Sequence, residues 1–245
     1  MRLLISIPVF NERKYVEKVL DKVLNIHSEV LLVDDGSTDG TAELLANNPD
    51  IQLIRHDRNM GYGQSVIDGF TYADQCGYDW VITMDCDEQH EPDRIVDFIQ
   101  TIKTDQWDLI SGSRYLQPMD GNDLPPKDRR NINQTITAML NENFGWNLTD
   151  AFCGFKAHRV SATRQLNLTE SGYAFPLQLW PRAFRAGLRI TEIPVRLIYN
   201  DATRSFGNGL DDADRRLKHY LEVFNREMTA DFETETATDR SFVCC

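Results

Sequence analysis

Asp85 and Asp87 stand two residues apart, directly after the apolar run Trp80-Val81-Ile82-Thr83-Met84. Carboxylates at that spacing on a turn aim at a common point, and like charges held so close require a cation. Oxygen donors suit Mg2+ or Mn2+. An ion there can bridge a diphosphate and stabilise the negative charge that builds on a departing nucleotide. Gln89 and His90 continue the same segment, and two further polar clusters also follow apolar runs: Pro8-Val9-Phe10-Asn11-Glu12 and Asp34-Asp35-Gly36-Ser37. A single acidic cluster is commonly a solvated turn. Three of them at three strand ends point to one crevice.

The elements that must position these clusters are legible in the hydrophobic pattern. Residues 3–9, 30–33, 51–54, 80–84 and 109–111 read as five successive strands. Between them Val16, Val19, Leu20, Val23 and Leu24 fall on one helical face. A short helix opens at Thr41, residues 61–76 carry a helical pattern, and Pro92 starts a helix with Ile95, Phe98, Ile99 and Ile102 as its stripe. Regular alternation predicts an α/β fold, a doubly wound, mostly parallel sheet flanked by helices in a single domain. Ligands of such sheets bind beyond the carboxyl ends of the strands, where all three clusters lie. The second half is less regular. It reads as helices over 131–144 and 176–186, a strand over 151–156, and a strand over 190–198 that Pro194 confines to an edge or bulge. An amphipathic helix follows over 210–228. Residues 1–228 are expected to form one domain and 229–245 an acidic, disordered tail.

The formal net charge is −12, which disfavours a nucleic-acid partner. No apolar run approaches the roughly 20 residues that span a bilayer, and the first residues read as a strand rather than a signal peptide. Cys76, Cys86, Cys153, Cys244 and Cys245 show no paired spacing for zinc or a disulfide framework, which favours a reducing cytoplasm. A dinucleotide-dependent dehydrogenase would place Gly-x-Gly-x-x-Gly after the first strand, where this chain has Pro8-Val9-Phe10-Asn11-Glu12. An aspartyl phosphatase uses the first Asp of an Asp-x-Asp pair as nucleophile, but after the first strand rather than the fourth.

Taken in order, Pro8…Asn11-Glu12, Val33-Asp34-Asp35-Gly36-Ser37-Thr38-Asp39-Gly40-Thr41, Asn59…Gly61…Gly63, Met84-Asp85-Cys86-Asp87…Gln89-His90 and Gly112-Ser113-Arg114-Tyr115 carry a family likeness. The chain resembles the inverting GT-A-fold glycosyltransferases of family 2, in particular the dolichyl- or polyprenyl-phosphate sugar synthases. Cys153-Gly154-Phe155-Lys156 after Asp150, and Gly187…Glu192-Ile193-Pro194, extend the likeness into the second half. The resemblance implies a nucleoside-diphosphate sugar donor, GDP or UDP bearing a mannose- or glucose-class sugar. It implies that Pro8, Phe10, Glu12 and Asp35 line the base and ribose, and that Asp85, Asp87 and Gln89 hold Mg2+ or Mn2+ and the diphosphate. Arg114 and Arg130 become cations for the donor diphosphate or acceptor phosphate, and with Asp87 make up the expected catalytic set. From the residues alone, Arg114 follows the fifth strand into the same crevice, and its guanidinium fork suits phosphate oxygens.

The chain departs from that family pattern late. A customary Glu is Gln178, and the closing Arg, Gly and Lys positions hold Asn200, Thr203 and Phe206, with Arg204 beside Ser205 as the replacement cation. A hydroxyl acceptor needs a general base within hydrogen-bond reach. Hydroxyl-using relatives supply a Glu-Asp pair before the late helix, whereas residues 169–178 offer only Glu170. A phosphate is already ionised and needs cations, for which Arg130, Lys156 and Arg204 are candidates. The expected acceptor is therefore a polyprenyl or dolichyl phosphate, with a saccharide hydroxyl, or a nucleotide-sugar-binding subunit without turnover, as alternatives. The chain is expected in the cytoplasm and, for a lipid acceptor, peripheral at the cytoplasmic membrane face, with a membrane-bound partner subunit as a further expectation. The 210–228 helix, with Arg215, Arg216, Lys218 and Arg226 beside its apolar stripe, either lies in the interface or packs onto the domain.

Overall fold

Leu3, Ile5, Ile7 and Val9 of the first strand, β1 (Leu3–Val9), enter one apolar layer and Leu4 enters the other, so period-2 alternation divides the core across the sheet. The computed structural model of the protein describes residues 1–46, 48–118, 123–199, 209–230, 242 and 244. β2 (Val30–Asp34), β3 (Gln52–Arg55), β4 (Trp80–Thr83), β5 (Leu109–Ser113), β6 (Lys156–Arg159) and β7 (Ile190–Pro194) complete a seven-stranded sheet in the order β3-β2-β1-β4-β6-β5-β7. On one face lie α1 (Val16–Leu24), α2 (Thr41–Leu45) and α4 (Ile95–Ile102). On the other lie α3 (Tyr62–Gln75), α5 (Lys127–Phe144), α6 (Val160–Thr163), α7 (Phe175–Arg185) and α8 (Ala213–Thr229). The first half follows the sequence expectation closely, with β1 over the expected residues and β5 two residues longer.

The chain runs outward from β1 to β2 and β3, then returns to the other side of β1 as β4. That reversal opens a crevice at the carboxyl ends of β1, β2 and β4. The sheet is mostly parallel. Its exception is β6, antiparallel to both β4 and β5, with Lys156 opposite Thr83 and Ser111. Being antiparallel, β6 begins at the edge where its neighbours end, so residues 153–156 are delivered to the crevice.

Two expectations are corrected, and one pair of alternatives is decided. The strand expected over 151–156 is β6 at Lys156–Arg159, and 151–155 form the turn that feeds it. The helix expected over 210–228 is α8, and of its two readings it packs onto the domain: Phe224 of the expected stripe is buried with Tyr220 and Val223, Leu217 and Leu221 are partly buried, Met228 stays exposed, and Arg216 is buried with Asp128 at 2.7 Å and Leu210 O at 2.7 Å. Cys76 and Cys244 form a disulfide across 168 residues, a pairing that spacing could not show. Beside it Phe242 packs 6.1 Å from Tyr72, and its amide donates to Gln75 Oε1 at 2.7 Å. The remaining tail, 231–241, 243 and 245, lies outside the described residues. Among those described, no helix is long and apolar enough to cross a membrane.

Candidate active site

The loops after β1 and β2 are tied together before any ligand is considered. Asn11, in the left-handed region at φ 56°, donates its amide to Ser37 Oγ (2.9 Å) and accepts from Thr38 N through Oδ1 (2.8 Å). Asp39 accepts from Thr41 N at 3.0 Å and from Arg13 N at 3.1 Å, which starts α2 and fixes the neighbouring loop. At Gly36, φ +73°, an added Cβ would meet the Arg58 backbone at 2.5 Å, so glycine is required for the turn to close. Asp35, 3% exposed, receives Met60 N (2.7 Å) on Oδ1 and Gly61 N (2.9 Å) on Oδ2. Pro8, Phe10, Glu12 and Asp35 thus line one wall of a cleft of about 1370 Å³.

The same cleft is lined by Asp85, Asp87 and Gln89. Asp85 reaches across to the turn before β6, where Gly154 makes room: a Cβ there would lie 2.7 Å from Asp85 Oδ2 and 2.9 Å from the Tyr62 hydroxyl. Tyr62 itself is hydrogen-bonded to Asp85, and burial together with that carboxylate raises its pKa well above the ordinary value. Asp87 is 7% exposed and takes Gln89 N at 3.0 Å. Glu88 between them sits at φ 57°, a costly conformation for a non-glycine residue. His90 is a supporting group: its Nδ1 accepts from Asp85 N at 3.0 Å, its ring stacks on Phe155, and burial pushes its pKa down to about 4. The imidazole is therefore neutral and forms no ion pair with Asp85.

This oxygen-donor set fits a hard divalent cation with part of its shell supplied by substrate. Among the described residues no group of three or more acidic, histidine or cysteine side chains is arranged to enclose a metal. Two carboxylates and an amide leave positions for diphosphate oxygens, the usual manner of holding Mg2+ at phosphate sites.

Arg114 lines the cleft, but its fork is committed. Nε and Nη2 bond Asp150 at 2.6 and 2.9 Å, and its amide adds a third contact at 3.2 Å. Asp150 is fully buried and also takes Asn133 Nδ2 at 2.7 Å. Burial alone would raise its pKa, but the Arg114 charge and these bonds hold it well below the usual carboxylate range. Glu192 closes the unit by accepting from Thr149 N (2.8 Å) and Asp150 N (3.1 Å). Arg130 is not among the lining residues. Its guanidinium lies 3.6 Å from the Tyr115 ring centre, while the adjacent Arg129 does line the cleft. Helical geometry separates the two neighbours by about 100°. Arg204, Asn200, Thr203, Ser205 and Phe206 lie outside the described residues.

Lys156, buried at the head of β6, also faces the cleft and donates to Cys153 O; burial lowers its pKa. Glu170 does not line the cleft. Its Oε2 pairs with Arg226 at 2.9 Å. Gln178 is fully buried, with Oε1 accepting from Thr169 N and Glu170 N at 2.7 and 2.8 Å. Its Nε2 donates to Glu227 Oε1 at 2.8 Å. Several contributors lay beyond sequence reasoning: Tyr62, Tyr173, Asp150 as an arginine anchor, His56 between two carboxylates, and His219 and Tyr220 from α8 in the cleft lining. Only the helical placement of Tyr62 beside Gly61 and Gly63 gave a local signal.

The family model for glycosyl transferase family 2 matches residues 4–166. The undecaprenyl-phosphate mannosyltransferase of Micrococcus luteus is 30% identical over 220 residues, covering 85% of this chain and 88% of that protein. The polyprenol monophosphomannose synthase of Mycolicibacterium smegmatis is 28% identical over 204 residues, covering 79% and 76%. Among solved structures, Mycobacterium tuberculosis glucosyl-3-phosphoglycerate synthase in complex with Mn2+, UDP-glucose and phosphoglyceric acid superposes with a TM-score of 0.69 at 19% identity, over 94% of this chain and 81% of that one. The fold is therefore the GT-A fold, and with the catalytic-cleft motifs in place the chain belongs to glycosyl transferase family 2.

Proposed function

We propose that this glycosyltransferase moves a sugar from a GDP- or UDP-sugar to a polyprenyl or dolichyl phosphate, with inversion at the anomeric carbon. The observation that carries the acceptor reading is the distribution of charge in the cleft. Its lining carboxylates, Glu12, Asp35, Asp85 and Asp87, all belong to the loops after β1, β2 and β4. The lining contributed from β5 onward carries Arg114, Arg129, Lys156, Arg216 and His219, with Tyr115, Tyr199 and Tyr220, and no carboxylate among the described residues. A hydroxyl nucleophile would find no carboxylate base among these described residues, whereas an ionised phosphate would find arginine and lysine side chains, of which Arg114 and Arg216 are also paired with Asp150 and Asp128. Glu170, the one carboxylate the sequence offered as a base, is held by Arg226 outside the cleft. The relatives from Micrococcus luteus and Mycolicibacterium smegmatis, named for polyprenyl-phosphate acceptors, agree with this reading.

Pro8, Phe10, Glu12 and Asp35 receive the nucleoside, and Asp85, Asp87 and Gln89 would hold Mg2+ or Mn2+ with the diphosphate. When bound, that ion neutralises charge on the leaving nucleoside diphosphate. An acceptor phosphate oxygen attacks the anomeric carbon from the opposite side, and the bond from that carbon to the diphosphate oxygen breaks as the new one forms. Arg114 lines the cleft with Nε and Nη2 held by Asp150, so it would meet the phosphates as one half of an ion pair. As a peripheral protein the chain would meet the lipid at the membrane surface. Exposed Leu116 and Leu124, the latter 92% exposed, are apolar side chains available to it. Gln178 gives no support to a subunit without turnover, because its amide is needed between two backbone donors and Glu227.

The test is incubation of purified protein with radiolabelled GDP- and UDP-sugars, Mg2+ or Mn2+, and detergent-dispersed polyprenyl phosphate. A labelled glycolipid that vanishes in excess chelator is expected. Turnover without added membranes would show that no membrane-bound partner subunit is required. Label transferred only to water or to a saccharide would refute the acceptor reading.

A further inference from the structure

His56 follows β3 and sits where the loop after β2 meets α3. Its Nδ1 lies 2.7 Å from Asp35 Oδ1 and its Nε2 2.7 Å from Asp68 Oδ2. All three residues are buried: His56 is 7% exposed, Asp35 3% and Asp68 1%. An ionised carboxylate only accepts hydrogen bonds, so a ring bonded to carboxylates at both nitrogens carries both protons and is a cation. Among the described residues Asp35 and Asp68 are the charged groups bonded to the ring, and Arg55, the last residue of β3, is paired with Asp34 at 3.4 Å. Asp68 is further braced within α3, where its Oδ1 takes Gln64 Nε2 at 3.0 Å. Burial by itself would lower the His56 pKa, but the hydrogen bonds and charges of the two aspartates push it up to about 9.

We propose that the His56 imidazolium is a positioning residue of the nucleotide pocket, orienting Asp35 and the turn at residues 59–61 for the base and ribose of the donor. The proposal rests on the donor reading above, in which Asp35 faces the nucleoside. Asp35 binds His56 and the amides of Met60 and Gly61 together, so its carboxylate plane is fixed from α3 through the ring. Loss of one ring proton leaves a nitrogen facing a carboxylate lone pair to lone pair. One of the two bonds must then open, and the link from α3 to Asp35 is broken.

The experiment measures UDP and GDP binding with Mg2+ by calorimetry from pH 7 to pH 10, for the wild type and Asp68→Asn, alongside KM and kcat for the donor. Affinity of the wild type is expected to fall through the His56 titration. In Asp68→Asn, with one anion removed, the midpoint of that loss should move to lower pH by about 1 unit or more. The donor KM should rise while kcat at saturation holds. A nucleobase can lose its own imide proton in the same range, so the displacement in Asp68→Asn is decisive rather than the alkaline loss alone. An unmoved midpoint in folded Asp68→Asn would overturn the proposal. So would histidine NMR of the wild type at neutral pH showing a singly protonated His56 ring, a measurement that stands even if the variant fails to fold. Failure of the wild type to bind either nucleotide at any pH would instead refute the donor reading on which the proposal rests.

Discussion

Gln178 joins Glu227 through a 2.8 Å bond from its amide nitrogen, while its amide oxygen accepts from the backbone of Thr169 and Glu170. Glu227 is also gripped by Arg182 at 2.7 Å, so α7, α8 and the loop beside the cleft share one buried polar unit. Restoring the family's glutamate would set an acid against an acid. Gln178→Glu should cost about 2–4 kcal/mol at neutral pH, since it removes a buried donor and adds an unpaired charge. Chemical denaturation at pH 7 and pH 5 checks it: the loss should shrink at pH 5 as one carboxyl takes up a proton. Stability equal to wild type at pH 7 would show that the amide is not what the site requires.

Gly154→Ala tests the fit between the turn before β6 and the acidic floor. The new Cβ would lie 2.7 Å from Asp85 Oδ2, and so Asp85 must swing. Displacement of a positioned group by about 1 Å can cost on the order of 10²-fold in rate. Steady-state kcat/KM should fall by that order with an unchanged circular dichroism spectrum. Full activity would mean that Asp85 adopts another position in turnover.

Asp150→Asn should destabilise the protein by about 3–5 kcal/mol, because it leaves a largely buried Arg114 without its counter-charge. Asp150 has a depressed folded pKa, so its contribution is present above the ordinary carboxylate range and is lost only as pH falls through the lowered value. Denaturation curves at pH 7 and pH 4 should therefore show a deficit in the variant at both. A deficit confined to pH 7 would contradict the Arg114–Asp150 assignment.

His158 gives the opposite end of the acid range. It is buried on β6, tilted against Phe70, and burial lowers its pKa to about 3. An unfolded histidine titrates near 6.5, so the folded state binds fewer protons below that pH and stability falls as pH drops from about 6.5 toward 3. His158→Gln should flatten that slope in thermal melts taken between pH 7 and pH 4. An identical slope would place the acid sensitivity elsewhere.

The sequence displayed the parts of the site that are local. Asp35, Asp85 and Asp87 each follow an apolar run within a few residues, and the helical stripe of α1 is written in Val16, Val19, Leu20 and Val23. What escaped reading is what long-range pairing decides. β6 enters between β4 and β5 against their direction, and no periodicity in 151–159 announces it. Asp150 meets Arg114 across 36 residues, and Cys76 meets Cys244 across 168. The stripe of α8 was visible, but not which surface it covers: an amphipathic pattern is the same whether the apolar side meets a membrane or α5 and α7. Arg129 and Arg130 were separable only once the phase of α5 was known.

The central claim is that the acceptor nucleophile is an ionised phosphate and needs no catalytic base from the protein. The most direct measurement compares sugar transfer to a polyprenyl phosphate with transfer to the polyprenol of the same length, at equal concentration and in the same detergent, for the wild type and Glu170→Gln. Glycolipid should form from the phosphate alone, and Glu170→Gln should form it at a rate close to wild type. Transfer to the alcohol that disappears in Glu170→Gln, with none to the phosphate, would contradict the account.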